Sequence, residues 1–268
     1  MVDFQCKNRY SWEDFVEIIR LLRAPGGCPW DIEQTHQSIR RDFLEETYEA
    51  LDALDREDIP AMQEELGDVL MQVAFHAVIE EERGNFTPDD VVDGIAQKMV
   101  YRHPHVFGGT MQADNSEQVL VNWEVLKRKE KDQRSTADAI EAVPHTLPAL
   151  WRAEKVQKKT AKVGFDWNNP MDALEKLEEE IRELREAMES GRAVDAPHGL
   201  REELGDTLFM TAKIAQMSGV DPEDALHRAC DKFDDRFRLV EESAEKPLVE
   251  LTEEELLALW RAAKEKLS

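Results

Sequence analysis

Glu64-Glu65-Leu66-Gly67-Asp68 recurs residue for residue as Glu202-Glu203-Leu204-Gly205-Asp206. Each copy follows a Glu-Glu-x-x-Glu run, formed by Glu45, Glu46 and Glu49 in the first case and by Glu179, Glu180 and Glu183 in the second. Residues three or four apart share one face of a helix. Glu46 with Glu49, and Glu65 with Asp68, therefore project together from consecutive helices, as do Glu180 with Glu183 and Glu203 with Asp206. A short link between two helices packs them as an antiparallel hairpin, so each half of the chain predicts a hairpin with carboxylates turned inward. A glycine inside a helix costs about 1 kcal/mol against alanine. Gly67 and Gly205 are accordingly expected where two helices approach closely. The duplication predicts an all-α tandem repeat of two helical domains.

Four carboxylates within a few ångströms repel one another in a partly desolvated groove unless a cation sits among them or their pKa values rise. An all-oxygen donor set suits Mg²⁺ or Mn²⁺, and the absence of Cys and His from these positions counts against zinc. Downstream of the first pentapeptide lies Lys98-x-x-x-Arg102, and downstream of the second lies Lys232-x-x-x-Arg236. Each pair places two cations on one helical face, suited to hold phosphate oxygens beside the acidic hairpin.

The rest of the composition sets outer limits. A chain of 268 residues with 34% charged residues, 12 Gly and 11 Pro favours helix and has room for two modest cores. Its formal net charge of −24 argues against a nucleic-acid polymer as partner, since such binding needs a basic stripe. A single nucleotide stays compatible, because bound cations invert the local field. Cys6, Cys28 and Cys230 form no Cys-x-x-Cys pair, which points to a reducing, cytoplasmic setting. The first residues carry no long apolar run of the signal-peptide kind, and no stretch reaches the roughly 20 apolar residues of a membrane span. A soluble protein is expected.

Apolar spacing places a helix on Trp12, Phe15, Val16, Ile19 and Leu22, entered through Ser11 with Asp14 three residues on. It ends at Ala24-Pro25-Gly26-Gly27. A loop is expected at Cys28–Asp31, with helix resuming near Thr35 or His36 and carrying Phe43, Leu44, Leu51 and Leu54. The next helix, from Ala61 to about Arg83, offers Leu66, Val69, Leu70, Val73, Ala74 and Ala77 as its core face, and Gly84-Asn85 stops it. Thr87-Pro88 opens another. The segment His103–Ser116 reads as loop, and Glu117 to Asp132 as a polar helix. The second half repeats the scheme, with a helix holding Leu147, Leu150, Ala153 and Val156, then the loop from Gly164 to Pro170. Acidic helices follow from Met171 to about Ser190 and from about Pro197 to Ser218. Asp221-Pro222 opens a further helix, and Thr252 with Glu255 makes a capping box for the last. Domains are expected at 1–130 and 146–268, with a linker at 131–145.

Other chemistries fit less well. A di-iron bundle needs paired Glu-x-x-His motifs, and Glu33-x-x-His36 has no partner. There is no Gly-x-x-x-x-Gly-Lys-Ser/Thr loop and no Gly-x-Ser-x-Gly elbow. Hydrolysis of some other nucleotide, and an acidic helical module that binds nucleotide or a partner protein without turnover, both remain open at this point.

Beyond the carboxylates, the chain carries Cys28-Pro29-Trp30-Asp31-x-x-Gln34-Thr35-His36, the loop Arg102-His103-Pro104-His105-Val106-Phe107-Gly108, and Lys162-Val163-Gly164-Phe165-Asp166-Trp167. With these segments, nearly the whole sequence resembles the MazG family of the all-α nucleoside triphosphate pyrophosphatase superfamily. The resemblance implies a homodimer of tandem helical domains that converts a nucleoside triphosphate to the monophosphate and pyrophosphate with Mg²⁺. By that resemblance Glu180, Glu183, Glu203 and Asp206 hold metal in the C-terminal half, and Glu46, Glu49, Glu65 and Asp68 are the matching N-terminal set. Lys232 and Arg236 grip the triphosphate with Trp260 near the base, Lys98 and Arg102 match them, and Lys176 joins the substrate-binding candidates. A metal-activated water would attack the phosphate chain in line with the pyrophosphate leaving group. Glu179 or Glu45 could orient or deprotonate that water. The two copies differ in one visible respect: Glu49 and Glu65 stand 16 residues apart, Glu183 and Glu203 stand 20 apart.

Overall fold

The computed structural model describes residues 4–108, 115–130 and 135–267. Among them every regular element is helical and there is no strand. The chain divides into two compact units, Met1–Lys131 and Asp132–Ser268.

In the first unit α1 (Trp12–Arg23) begins at the capping box of Ser11 and Asp14. The segment expected as a loop at Cys28–Asp31 instead forms the short helix α2 (Pro29–Glu33). Proline at its first position lacks only an N–H that would have no intrahelical partner there. Helix does not resume at Thr35. Thr35 and Ser38 exchange backbone-to-hydroxyl bonds of 2.9 and 3.2 Å, an alternative to helical pairing, and α3 (Arg40–Asp55) starts five residues later. Three residues then reverse the chain into α4 (Ile59–Glu82), capped by Asp58. Glu57 adopts φ +54° in that turn. Gly84, at φ +74°, takes the left-handed conformation that stops α4. The helix α5 (Pro88–Arg102) enters through the capping box of Thr87 and Asp90. Within the expected loop His103–Ser116 the chain forms α6 (Pro104–Phe107), while residues 109–114 lie outside the described ones. A further helix, α7 (Ser116–Glu130), packs on α5.

The core of this unit joins Val16 and Ile19 of α1 to Ala74, Phe75, Val78 and Ile79 of α4, with Ile39 beside them. Two forked ion pairs border it. Arg20 donates from Nε and one terminal nitrogen to Glu81 at 2.7 and 2.8 Å, and Arg23 grips Glu82 at 2.8 Å through two contacts. The core lies against the C-terminal half of α4, so it anchors the end of the hairpin away from Glu65 and Asp68. Leu66 and Leu70, expected in the core, are 55% and 45% exposed. Leu44, Leu51 and Leu54 of α3 are exposed as well.

The second unit opens with α8 (Thr136–Glu141), which lies in the stretch read as a linker and packs on α9 (Ala149–Ala161). Residues 131–134 of that stretch lie outside the described ones. Leu147 precedes α9 rather than lying in it. Asn169 caps α10 (Pro170–Glu189) by accepting from two backbone amides. The return, α11 (Leu200–Met217), starts three residues later than expected. A Cβ at Gly199 would sit 2.6 to 2.8 Å from the carbonyl oxygens of Ala193, Val194 and Ala196, so the loop closes there against a residue without a side chain. Asp221 caps α12 (Pro222–Ser243), and Thr252 with Glu255 caps α13 (Glu253–Lys266), which packs on α12.

The α3–α4 and α10–α11 pairs are the most extensively packed helix pairs in their units. The expectation for the repeated glycine fails: a Cβ at Gly67 or at Gly205 would meet nothing within 4 Å. Among the described residues neither is a point of close helix approach: Gly67 is exposed, and Gly205 is exposed in an open groove shared with Ala149, Leu150 and Ala153 of α9.

Candidate functional site

In the first unit, ligand oxygens of Glu46, Glu49 and Glu65 all lie within 4.8 Å of one another. Glu46 and Glu49 come from one face of α3, Glu65 from the first half of α4. Asp68, one turn beyond Glu65, stands outside that set but is close enough to act on it electrostatically. Burial first, and then the charges of Asp68, Glu49 and Glu65, hold the Glu46 carboxyl above its ordinary pKa. Glu65 is raised as well, by desolvation and then by Glu49 and Asp68. Glu45 is exposed; with Glu49, Arg41, Leu44, Tyr48 and Asp52 it lines a shallow groove of about 460 Å³ along α3.

In the second unit the convergent set is Glu180, Glu203 and Asp206, again within 4.8 Å. Glu180 and Glu203 are buried, at 6% and 3% exposure, and Asp206 is exposed. Desolvation, then the charges of Glu180 and Glu202, raise the Asp206 carboxyl. Glu183 lies one turn along α10, half-buried and outside this set. Lys176 is drawn into the acidic face, its ammonium 2.8 Å from Glu180 and 3.3 Å from Glu179. Its pKa is raised, chiefly by the hydrogen bond to Glu180. Glu179 itself is exposed beside the cluster.

Both donor sets are carboxylate oxygens alone, and burial first, then the neighbouring carboxylates, raises three of them, Glu46, Glu65 and Asp206. That chemistry fits a hard divalent ion.

The cationic candidates part company. Arg236 is half-buried, and its Nε is enclosed without a hydrogen-bond partner among the described residues. Arg102 is buried and already engaged: Nε and a terminal nitrogen donate to Glu130 Oε2 at 2.9 and 2.8 Å. Lys98 is half-buried and Lys232 exposed. Trp260 meets Phe233 at 5.1 Å between ring centroids, in a tilted arrangement.

Three features escaped the sequence reading. Lys213, 1% exposed, pairs with Asp166 and donates to Gln216 at 2.6 Å, tying the loop before α10 to α11. His198 Nδ1 stands 3.4 Å from Glu203. Trp123 carries Lys127 at 4.6 Å and Arg102 at 5.0 Å over its ring. A signal for the last was present: Trp123-x-x-x-Lys127 echoes Trp260-x-x-x-Lys264.

A duplicated helical hairpin with carboxylates converging from both helices defines an all-α protein with two acidic clusters whose donors suit a divalent cation. Residues 34–107 and 169–243 each match the MazG nucleotide pyrophosphohydrolase domain, and the chain belongs to that family. It is 42% identical over 256 residues to the Thermotoga maritima nucleoside triphosphate pyrophosphohydrolase/pyrophosphatase MazG, covering 94% of this chain and 95% of that one. The Escherichia coli nucleoside triphosphate pyrophosphohydrolase is 45% identical over 225 residues, 84% of each chain. An uncharacterized Bacillus subtilis protein, YabN, is 48% identical over 261 residues, 96% of this chain and 52% of its own length.

Proposed function

We propose that the protein hydrolyses nucleoside triphosphates to the monophosphate and pyrophosphate. The observation that carries this reading is the pair of convergent carboxylate sets in a chain of this family. In our reading Mg²⁺, with Mn²⁺ as a substitute, is held by Glu180, Glu183, Glu203 and Asp206, and in the first unit by Glu46, Glu49, Glu65 and Asp68. A bound divalent ion offsets phosphate charge and makes water a better nucleophile at neutral pH.

The remaining roles belong to the chain. Lys232 and Arg236 would hold the triphosphate oxygens, and the unpartnered Arg236 Nε supports that role. Lys176, beside Glu180, would meet phosphate at the rim of the cage. Trp260 offers a ring face to the base. Glu179, exposed and next to Glu180, is placed to orient the attacking water and take its proton, and Glu45 holds the matching position in the first unit. The two units would act as separate domains, 1–130 and 146–268.

Exposed apolar residues on the hairpins, Leu66 and Leu70 in one unit and Leu204 and Leu208 in the other, support assembly as a homodimer. Cys6, Cys28 and Cys230 are all free, which favours a reducing, cytoplasmic setting. No helix among the described residues is long and apolar enough to cross a membrane.

The test is pyrophosphate release from a panel of nucleoside and deoxynucleoside triphosphates with Mg²⁺, comparing wild type with Glu49→Gln and Glu183→Gln. Glu183→Gln in a Glu49→Gln background is expected to lower turnover about 100-fold or more, and the two single variants divide the loss according to the activity of each unit. Binding of nucleotide with no release from any substrate would instead support the binding-module reading.

A further inference from the structure

The repeat continues past the hairpins. In unit 2, α12, which carries Lys232 and Arg236, packs on α11, and α13 packs on α12 with Trp260 and Lys264 four residues apart. In unit 1, α5, which carries Lys98 and Arg102, packs on α4, and α7 packs on α5 with Trp123 and Lys127 at the same spacing. The lysine sits over its own tryptophan in both cases, at 5.9 Å for Lys264 and 4.6 Å for Lys127. Trp123 is thus the counterpart of Trp260, though both lie outside the stretches matched to the family domain.

The two platforms differ in what occupies them. Trp260 has Phe233 beside it, and Arg236 leaves its Nε unpartnered. Over Trp123 lies the Arg102 guanidinium, 5.0 Å from the ring centroid and held there by two hydrogen bonds to Glu130, the last residue of α7. Arg102 is 6% exposed and the Glu130 side chain 33%, so the carboxylate is the solvent-facing member of the pair.

We propose that Trp123, Lys127, Lys98 and Arg102 form a second nucleoside triphosphate subsite, in unit 1, which Glu130 latches shut by holding Arg102 across the indole face. This rests on the nucleotide reading of the family site given above. A triphosphate presents several anionic oxygens to the guanidinium where Glu130 presents a single carboxylate. Transfer of Arg102 from Glu130 to phosphate withdraws it from Trp123 and uncovers a ring face on which any base can stack. The latch lowers apparent affinity by the fraction of time the subsite is closed; a latch shut nine-tenths of the time costs about tenfold.

The experiment titrates the full chain with the α,β-methylene analogue of ATP and Mg²⁺ by calorimetry, in wild type, Glu130→Gln, and Glu130→Gln combined with Trp123→Ala or Trp123→Phe. We expect two classes of site in wild type, the weaker one tightened about tenfold by Glu130→Gln. Trp123→Ala should remove the tightened class and Trp123→Phe should retain it, since phenylalanine keeps a stacking face. A weaker class unmoved by Glu130→Gln, or a tightened class that survives Trp123→Ala, overturns the proposal. If that happens while a Trp260-dependent class still binds, only the latched subsite falls. If wild type binds no analogue at all, the nucleotide reading falls with it.

Discussion

His36, His76 and Glu80 show how single side chains secure unit 1 near its acidic hairpin. His36 Nδ1 and His76 Nδ1 share a proton at 2.7 Å, and His36 Nε2–H donates to Glu80. Hydrogen bonds from Asn85 and His36, with Arg83 adding to them, lower the Glu80 carboxyl to about 2. Burial, then the neighbouring His36, holds His76 below 6.5. In both cases the unfolded chain binds protons that the folded chain resists. Stability from His76 is therefore present above 6.5 and lost as pH falls through its lower folded value. Stability from Glu80 is present above 4.5 and lost as pH approaches 2. Urea midpoints measured from pH 7.5 to 5 should fall for wild type and fall less for His76→Phe; equal slopes would contradict the assignment. At the cage, Glu203→Gln in a Glu49→Gln background should abolish Mg²⁺-dependent turnover while far-ultraviolet circular dichroism stays unchanged, the outcome expected of the ion ligand proposed above. None of the histidine network was legible beforehand, since His36 and His76 stand 40 residues apart and share no spacing rule.

Helices were the most legible level. The capping pairs Ser11 with Asp14 and Thr252 with Glu255, and the helix openings at Thr87-Pro88 and Asp221-Pro222, were readable because a cap is a local contract between residues three apart. The misreadings came where tertiary contact or side-chain bonding overrode the pattern: the Thr35–Ser38 turn that delays α3, and the glycine-closed loop that delays α11. Periodicity also named Leu66 and Leu70 as core, since it reports an apolar face without saying what covers it. Ile19, 2% exposed between α1 and α4, is a firm test of the real core. Ile19→Ala should cost about 2–5 kcal/mol in equilibrium unfolding, whereas Leu66→Ala should cost under about 1 kcal/mol.

For the whole molecule, the exposed glycines separate fold from assembly. Gly67→Ala and Gly205→Ala add a methyl into open space and should raise helix stability by about 0.5–1 kcal/mol each in a dissociated chain. With the hairpin faces covered in the proposed homodimer, the same methyls should weaken association, seen as a larger dimer dissociation constant in analytical ultracentrifugation. Unchanged association would place the dimer interface elsewhere. The two-site comparison of Glu49→Gln with Glu183→Gln belongs at this scale too, because it asks how turnover divides between units that carry the same acidic motif.

The sequence alone determined the all-helical class, the duplication, the hairpins and the identity of their carboxylates, because helical periodicity and a repeated motif are properties of residues near one another in the chain. Which three carboxylates in each unit bring their oxygens within 4.8 Å was decided only by tertiary packing. So was the contrast between Arg236, whose Nε is unpartnered, and Arg102, held by Glu130 from a helix 28 residues on. The motif is repeated, but the partners that surround it are supplied by residues distant in sequence, and a repeat says nothing about those.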